Sequence, residues 1–446
     1  MKLSKEQILA EIKSSPNPKV KVAITDLDGV LRGKYMHKDK FLSTVEGGFG
    51  FCNAIFGWDI NDLAYEECDF TGWHTGYPDA VAQLDLETYR KVPWDNDVPF
   101  FLGDFDLEIC PRSLLKKVKK ESEQLGLKPF FGQEFEWFNF KETTEELNAR
   151  DFHQPRPLTP GMFGYSLLRI SKNSAFFNDI YDLLLKFRVP IESLHTETGP
   201  GVFEAAILYG DILESADRAV LFKSAVREIG HRHGIMPTFM AKISEKLPGC
   251  SGHIHQSLWD EKSNLFHDDK GQHGMSSLME SYIAGLLHCL PHVLPLYAPT
   301  INSFKRLVEG AWAPTTITWG IDNRTTCIRA LPISAKSTRI ELRVVGSDAN
   351  PYLAHAAALA SGLYGIKHKL KLTQPMTKGN GYKDLSNGVL ARNLWDATQL
   401  MKNSQVAAEL FGAKFVKHFC DSREWEWKQH QKAVTDWEYK RYFEIV

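Results

Sequence analysis

The stretch Arg339-Ile340-Glu341-Leu342-Arg343 decides how the rest of the chain is interpreted, because charged and apolar residues alternate along it. In a β-strand successive side chains point to opposite faces, so the three charged residues share one face. Two arginines beside one glutamate are costly to bury unless a multiply charged ligand balances them. The stretch therefore predicts either a solvated, salt-bridged strand face or one wall of a site for anions and metal ions.

Two other segments repeat this spacing with side chains that bind metal ions. Glu134 and Glu136 lie two positions apart within a predicted strand over 128–140, so their carboxylates point to one face, as a hard divalent cation requires. His253 and His255 have the same spacing after a glycine-rich turn that allows close approach of the backbone to a ligand. The alternative interpretations are an exposed acidic strand face and a pair of structural histidines.

A further acidic pair and a group of arginines complete the set. Glu197 and Glu204 bracket Thr198-Gly199-Pro200-Gly201, a tight connection that would fold one carboxylate back towards the other, although a surface loop fits equally well. Five arginines lie within 38 positions: Arg306, Arg324, Arg329, Arg339 and Arg343. Together these segments predict a cleft with carboxylates and imidazoles for metal ions and guanidinium groups for anions, which phosphoryl transfer requires.

Composition excludes several classes of protein. The 446 residues are 43% hydrophobic and 24% charged, with a formal net charge of −2, which is typical of a globular protein and predicts no binding of nucleic acid. No apolar run reaches the roughly 18 residues that span a bilayer, so we expect no membrane segment. The seven cysteines are dispersed without a C-x-x-C pair, which favours reduced thiols and a cytoplasmic protein.

The order of predicted elements indicates two domains. Residues 1–106 are expected to form a small β-rich domain, with a strand over 20–24, a two-residue hairpin turn at Asp28-Gly29, and long loops over 46–80. Residues 107–446 are expected to form a larger domain in which helices and strands alternate. Its predicted elements are helices over 111–125, 174–187, 216–233 and 276–290 (ended by Pro291), the strand over 128–140, a mobile loop over 141–162, and a packed amphipathic helical end in the last 25 residues.

One motif predicts different chemistry. Asp26-Leu27-Asp28-Gly29-Val30 follows an apolar strand and matches the nucleophile motif of haloacid-dehalogenase-type phosphatases, in which the first aspartate is phosphorylated. The lysine and paired aspartates that this chemistry also needs do not follow in the expected order. A hairpin turn explains the motif better.

Taken jointly and in order along the chain, the segments resemble the glutamine synthetase family. The motifs that carry the resemblance are Gly132–Glu136, Glu197 with Glu204, Gly249–Ser257, Asn302–Val308, Asn323-Arg324 with Arg329, Arg339–Arg343 and Ala349–Ala354. The resemblance implies an α+β fold, with a small N-terminal β-grasp domain followed by a large catalytic α/β domain. It also implies a homo-oligomer of two stacked hexamers, a dodecamer, whose active sites are shared between adjacent subunits.

The resemblance also implies roles for individual residues. Two Mg²⁺ or Mn²⁺ ions would be held by Glu136, Glu197 and Glu204 and by Glu134, His253 and Glu341. Glutamate would be bound by Gly249, Arg306, Arg324 and Arg343, with Arg306 and Arg324 also catalytic, and ATP by His255, Ser257, Arg329 and Arg339. Asp59 is similar in position to the catalytic aspartate that reaches the amine from a neighbouring subunit. The implied reaction is ATP-dependent amide formation from glutamate and an amine through γ-glutamyl phosphate.

The sequence departs from the family pattern at the position that contacts ammonium. The family carries a glutamate six positions after the arginine of its K-R-L-V motif, and here that position is Trp312. An indole cannot accept a proton, but it packs on an alkyl chain and attracts a cation through its ring. This favours a similarity to γ-glutamylpolyamine or γ-glutamylmonoamine synthetases, which use an organic amine. A glutamine synthetase that uses ammonia, a non-catalytic relative, and a tryptophan that only packs the segment against its neighbours remain the alternatives.

Overall fold

A computed structural model describes residues 3–446 and contains two β-sheets with helices packed between and behind them, which confirms the expected α+β class. The first sheet has the strand order β2-β1-β5-β4-β3. Its strands are β1 (Lys19–Thr25), β2 (Leu31–His37), β3 (Phe49–Cys52), β4 (Asp79–Val92) and β5 (Val98–Phe105). The central pair β1 and β5 is parallel and the other pairs are antiparallel, as in the expected β-grasp arrangement. The division of the chain after residue 106 stays a prediction.

The turn between β1 and β2 is longer than predicted. The strands stop pairing at Thr25 and Leu31, so the connection has five residues rather than two. The Asp26 carboxylate accepts hydrogen bonds from the backbone N–H groups of Asp28 (3.0 Å) and Val30 (2.9 Å), and Gly29 has a φ of +83°. The side chain of Asp26 therefore builds the turn, which accounts for the motif without phosphatase chemistry.

The stretch predicted as long loops over 46–80 contains regular structure at its start. Strand β3 pairs with β4, with Phe49 opposite Ala82, and a 3₁₀ turn follows over Asn53–Phe56. Phe49 and Phe56 are buried in the core of the first sheet. The prediction of loops was wrong for 49–56 because the many glycines hide the alternation of a short edge strand.

The second sheet has nine strands in the order β12-β13-β14-β11-β6-β8-β7, with β9 and β10 also paired to β6. Its strands are β6 (Lys128–Phe140), β7 (Ile191–Thr196), β8 (Val202–Ile207), β9 (Gly210–Asp211), β10 (Met236–Thr238), β11 (Gly252–Trp259), β12 (Trp319–Ile321), β13 (Ile328–Leu331) and β14 (Arg339–Leu342). The central strand β6 spans the predicted residues 128–140. The stretch 339–343 forms β14 except for its last residue.

Fourteen α-helices lie in the described residues. They are α1 (Lys5–Ser14), α2 (Lys38–Thr44), α3 (Pro111–Gln124), α4 (Thr144–Asn148), α5 (Leu167–Lys172), α6 (Ser174–Lys186), α7 (Ile212–Arg232), α8 (Ser277–Val293), α9 (Ser303–Arg306), α10 (Pro351–Lys367), α11 (Leu394–Lys402), α12 (Gln405–Phe411), α13 (Ala413–Lys432) and α14 (Asp436–Tyr442). Within the described part of the chain, no helix is long and apolar enough to cross a membrane.

Three predictions were wrong, two about the limits of helices and one about a loop. Helix α8 continues past Pro291 to Val293, because Leu290 and Val293 are buried and their packing outweighs the lost backbone hydrogen bond. Helix α7 begins at Ile212, four residues earlier than predicted, with Asp211 as its N-cap. The predicted loop 141–162 contains α4, which starts with a capping box formed by Thr143 and Glu146.

The C-terminal end is only partly packed. Helix α13 buries several side chains, among them Phe415 and Phe419, whereas α14 buries none. Trp437 and Phe443 are 59% and 81% exposed, and Tyr439 and Tyr442 are exposed as well. The predicted packed end is therefore wrong for residues 433–446 within a single chain.

The apolar face of the second sheet is covered by helices, and this leaves its charged face open. Phe135 and Trp137 of β6 pack against Phe222 of α7, while the even-numbered positions of β6 point the other way. Helices α8 and α10 cross closely behind this layer. There is no room for a side chain at Gly285, where a Cβ would lie 2.3 Å from the Ser361 carbonyl oxygen. This packing fixes the sheet that carries the site.

Candidate active site

The strand register of the second sheet brings together charged residues from distant parts of the sequence. Glu134 on β6 lies opposite His253 on β11. His255 on β11 lies opposite Glu341 on β14, which in turn lies opposite Arg329 on β13. Directly opposed residues share a face, so all five side chains project from the same side of the sheet. The predicted cleft is therefore built by strand pairing.

The first group of metal-binding side chains centres on Glu341. The Nδ1 atom of His253 lies 3.2 Å from an oxygen of Glu341 and 3.3 Å from an oxygen of Glu134. Burial and the nearby Arg343 lower the pKa of His253 to about 4, so its imidazole is neutral at pH 7. Its Nε2 atom is buried and has no hydrogen-bond partner within residues 3–446. Neutral imidazole and ionised carboxylate are the forms that bind metal ions.

The pKa values of the carboxylates differ sharply across the site. Burial alone would raise the pKa of Glu341, but the neighbouring His253 and Arg343 lower it to about 2. Burial, together with the negative charges of Glu134 and Glu136, instead raises the pKa of Glu204 to about 11. A carboxyl group crowded by other carboxylates in this way ionises readily only when a cation lies beside it. The crowding therefore fits the binding of a divalent cation.

The second group lies on strands β7 and β8, beside β6. Glu136 is opposite Glu204, which is opposite His195. Three ligand atoms lie within 4.8 Å of one another here, one each from His195, Glu197 and Glu204. Glu136 accepts a hydrogen bond of 2.7 Å from the backbone N–H of Ser251, which holds its carboxylate in place.

Each of the two groups of ligand atoms thus contains two predicted metal ligands and one histidine that was not predicted as a ligand in that group. Glu134, His255 and Glu341 also offer ligand atoms within 4.8 Å of one another, so His255 shares this position with His253, although His255 was assigned to ATP. His195 was missed. The signal for it was present, because His195 and Glu197 have the two-residue spacing of the other ligand pairs.

The arginines divide into buried and open ones. Arg306 is buried, and its guanidinium donates to the carbonyl oxygens of Val344 and Arg343, both at 3.0 Å. Arg343 contacts Glu341 and donates to the carbonyl oxygens of Arg324 (3.1 Å) and Trp312 (3.3 Å). Arg306 therefore supports the backbone that carries Arg343, and its direct contact with glutamate stays a prediction.

A second pair of arginines lies at the other side of Glu341. Arg329 donates to Glu341 at 2.7 Å and also contacts Asp322. Arg339 donates to Nδ1 of His255 at 3.2 Å, which leaves the Nε2 atom of that ring to face Glu134 at 3.5 Å. Both arginines thus hold site residues in position without a ligand.

A cavity of about 510 Å³ adjoins the first group of ligands, which is enough for a nucleotide-sized molecule. Three of the four predicted ATP-binding residues line it, namely His255, Ser257 and Arg339, whereas Arg329 does not. Aromatic side chains of Tyr209 and Trp259 line its far end. The cavity combines phosphate-binding groups with flat apolar surfaces.

Trp312 lies on a separate open cavity of about 610 Å³, which it lines together with Ile321, Arg324 and Met376. Its side chain is 62% exposed and its backbone has a φ of +56°, a conformation that is strained for a tryptophan. The exposed indole therefore shares this cavity with Arg324, one of the arginines predicted to bind glutamate.

Two further predicted residues have different surroundings. A Cβ at Gly249 would lie 2.6 Å from both the Ala241 carbonyl oxygen and the Arg306 side chain, so only glycine fits there. Asp59 is buried against the C-terminal helices, where it accepts a hydrogen bond of 2.9 Å from Trp425. The structure does not bring Asp59 to the metal ligands of its own chain, and its role towards a neighbouring subunit stays a prediction.

The sequence model of the glutamine synthetase catalytic domain matches residues 108–442. The chain belongs to the glutamine synthetase family. That membership identifies it as a ligase of this family, whose members use ATP and divalent metal ions to form a C–N bond.

Curated relatives within the glutamine synthetase family differ in the names of their substrates. Type-1 glutamine synthetase 2 of Dictyostelium discoideum is 50% identical, covering 99% of this chain and 87% of its own. Glutamate–isopropylamine ligase of a Pseudomonas species is 35% identical, covering 96% and 95%. A γ-glutamylethanolamide synthetase of Streptomyces coelicolor is 32% identical, covering 99% and 96%.

Solved structures agree with this membership. A complex of GmaS with ADP matches with a TM-score of 0.84 and 27% identity, covering 98% of this chain and 99% of that one. Apo GmaS matches with a TM-score of 0.85 and 26% identity over the same shares. The family fold therefore extends over almost the whole chain.

Proposed function

We propose that this chain joins the γ-carboxylate of glutamate to an organic amine, with cleavage of ATP and γ-glutamyl phosphate as the intermediate. The observation that supports the ligase chemistry is the convergence of two acid–imidazole groups beside a nucleotide-sized cavity and a cluster of arginines. Trp312 supports the organic amine.

The proposed metal ions are two Mg²⁺ or Mn²⁺. The orphaned Nε2 atom of buried His253 and the crowding that raises the pKa of Glu204 both fit bound cations. Glu134, His253, His255 and Glu341 would hold one ion, and Glu136, His195, Glu197 and Glu204 the other. When bound, such ions neutralise phosphate oxygens and the charge that develops on them.

The side chains of the site supply binding and alignment. His255, Ser257 and Arg339 would hold the phosphates of ATP, while Arg324 and Arg343 bind glutamate. The γ-carboxylate oxygen of glutamate attacks the γ-phosphorus of ATP. The bond between this phosphorus and ADP breaks, and γ-glutamyl phosphate results. Because both reactants are anions, these arginines lower their repulsion as well as orienting them.

In the second step an uncharged amine nitrogen attacks the γ-carbonyl carbon, the bond to phosphate breaks, and an amide forms. The ammonium form must first lose a proton, which requires a carboxylate near the nitrogen. Asp59 of a neighbouring subunit is our proposed acceptor, since the site would be shared in a ring of subunits. A dodecamer of two stacked hexamers is the proposed assembly.

The choice of amine rests on Trp312. At the position where the family places a glutamate, an indole offers an apolar surface and a cation-binding ring. A methyl or longer alkyl group would pack on this surface and bury apolar area that ammonia does not have. The relatives whose names contain isopropylamine and ethanolamide support the same proposal.

The test is phosphate release from ATP with glutamate and a panel of amines: ammonia, methylamine, ethylamine, isopropylamine, ethanolamine and putrescine. We expect turnover that requires glutamate, ATP and Mg²⁺ or Mn²⁺, with at least one organic amine giving a higher kcat/KM than ammonia. Ammonia outperforming every organic amine would contradict the proposed substrate but not the ligase chemistry.

A glutamine synthetase that uses ammonia is the second candidate, favoured by the 50% identity to the Dictyostelium protein of that name. The same panel separates the two. A cytoplasmic location is also proposed, since all seven cysteines are free thiols and five of them are buried.

A further inference from the structure

A second cleft, of about 840 Å³, lies between strand β4 of the first sheet and the start of helix α7. No residue lines both this cleft and the nucleotide-sized cavity of the active site. We call it the arginine cleft, after Arg90, Arg188 and Arg218, which line one end of it. The ligase chemistry gives it no role.

Only two of the three arginines contact a carboxylate, and it is the same one. Arg90 and Arg218 both donate to the same oxygen of Glu214, each at 3.0 Å. Arg188 donates to the carbonyl oxygen of Tyr89 at 2.7 Å and forms no ion pair with a carboxylate in the described chain. This end of the cleft therefore holds three positive charges against one negative charge.

Burial makes this excess costly. The Arg90 side chain is 1% exposed, and its Nε atom has no hydrogen-bond partner within residues 3–446. Burial and the neighbouring Arg90 lower the pKa of Arg188, so its surroundings disfavour the charge that it carries. A bound anion would remove this cost and supply acceptors for the guanidinium groups.

The acidic residues of the cleft do not provide that balance. Asp85 and Asp217 both accept from Arg112, at 2.7 and 2.8 Å. Lys91 pairs with Glu11 at 3.2 Å, Lys119 pairs with Asp211 at 3.1 Å, and Glu87 is likewise engaged. Each of these carboxylates already has a partner, and Arg188 is left without a carboxylate.

We propose that the arginine cleft binds a small anion with at least two negative charges, presented either as a phosphate group or as two carboxylates. Three guanidinium groups around one carboxylate supply a net charge of two and planar donors that suit both kinds of oxyanion. Because its walls come from β4 and from α7, the bound anion links the first sheet to helix α7.

The test is calorimetric titration of the whole protein with inorganic phosphate and, separately, with succinate, in the presence of a chelator. We expect saturable binding of at least one of the two anions, and the anion that binds identifies the chemistry. The variant Arg188→Asn should weaken it about tenfold, the loss typical of one charge-assisted hydrogen bond. Asparagine is chosen because Arg188 has a φ of +61°, which asparagine tolerates.

Two controls locate the binding. Arg392→Asn removes the same charge from an exposed position outside the cleft, and Arg343→Ala removes an arginine of the active site. Arg392→Asn should bind as the unaltered protein does, and Arg343→Ala should keep the binding that Arg188→Asn loses. If Arg188→Asn fails to fold, Arg218→Gln provides the same comparison.

Three results would overturn the proposal. One is the absence of saturable binding of both anions. The second is binding that is lost in Arg343→Ala and kept in Arg188→Asn, which would place the anion in the active site. The third is equal weakening in Arg188→Asn and Arg392→Asn, which would show unspecific attraction to positive charge.

Discussion

At the scale of single residues, Glu341 joins the two kinds of chemistry in the site. It contacts the guanidinium groups of Arg329 and Arg343 on one side and the ring of His253 on the other. Its lowered pKa, about 2, keeps it ionised at neutral pH. A carboxylate in this position binds metal ions while its orientation is fixed by arginines.

The variant Glu341→Gln should therefore lose metal binding and catalysis together. The amide keeps the shape but not the charge, so we expect Mn²⁺ binding to weaken and phosphate release to fall at least ~100-fold. Glu261→Gln, an exposed carboxylate outside the site, is the control and should behave normally. Near-normal turnover of Glu341→Gln would remove Glu341 from the proposed metal ligands.

A buried histidine gives a prediction about pH. His355 of α10 is fully buried beside Ser215, and burial lowers its pKa to about 3. As the pH falls, the unfolded chain, in which the histidine pKa is near 6.5, takes up a proton before the folded chain does. The neutral, buried His355 therefore contributes its full stability above pH 6.5, and that stability is lost as the pH falls. Between pH 6.5 and 5 the loss should be about 2 kcal/mol.

Urea unfolding at several pH values measures this loss. In His355→Gln the free energy of unfolding should fall less steeply between pH 6.5 and 5, whereas His273→Gln, at an exposed histidine, should keep the original slope. Identical slopes in all three proteins would show that His355 does not titrate as its burial implies.

The residue scale is also where sequence reasoning succeeded best. Alternation by two positions predicted that Glu134 and Glu136 share a face, and the register of β6 places both towards the site. His195 carries the same signal with Glu197 but was overlooked, because a single histidine is usually structural. The distances between the groups depend on strand register, which local patterns do not specify.

At the scale of elements, the segment 309–314 determines the proposed choice of amine. The variant Trp312→Glu restores the residue type that the family has at this position. We expect the ratio of kcat/KM for ammonia to that for the preferred organic amine to rise about tenfold or more, because apolar packing is lost and a carboxylate is gained. Trp395→Glu, at a tryptophan outside this cavity, is the control. An unchanged ratio would assign Trp312 a packing role only.

Arg112 ties helix α3 to the first sheet and to helix α7. Its buried guanidinium contacts Asp104 of β5, Asp85 of β4 (2.7 Å) and Asp217 of α7 (2.8 Å). Replacing it by methionine would leave these carboxylates without their cation, so we expect Arg112→Met to lower the free energy of unfolding by about 3–5 kcal/mol. The exposed Lys117→Met on the same helix should change it by less than ~0.5 kcal/mol. A loss below 1 kcal/mol for Arg112→Met would contradict the proposed tie.

Elements were predicted well where one signal dominates. The long strand 128–140 was identified in full, since it is rich in aromatic residues and alternates clearly over Glu134–Trp137. Helix α8 was cut short at Pro291 because local sequence cannot show that Leu290 and Val293 are held by the core. The capping box of Thr143 and Glu146 is a sequence pattern that predicts the start of α4, although a loop was predicted there.

At the scale of the whole molecule, we predict that the exposed aromatic residues of α14 contact another subunit. A chain that ends at Lys432 loses no buried side chain of α14, so the stability of the single-chain fold should hold. We expect this truncation to shift the assembly towards smaller species in sedimentation velocity. As a control, Trp437→Phe, which keeps an aromatic ring, should leave the assembly intact. Unchanged assembly of the truncated chain would contradict the contact.

The overall architecture was predictable mainly through the order of motifs. No local pattern states that β6, β11 and β14 are neighbours, because their paired residues are separated by more than 80 positions. The resemblance supplied that arrangement, and the α+β fold confirms it. Local sequence does not predict the arginine cleft, since its arginines come from β4, from the segment before β7 and from α7 and become close only on folding.

The most direct test of the central claim is calorimetry of a non-hydrolysable ATP analogue with Mn²⁺. If the acid–imidazole groups hold metal ions beside the nucleotide, two Mn²⁺ ions should bind per chain with the analogue, and a chelator should abolish binding of the analogue. Equally tight binding of the analogue in the chelator, with no Mn²⁺ bound, would contradict the account.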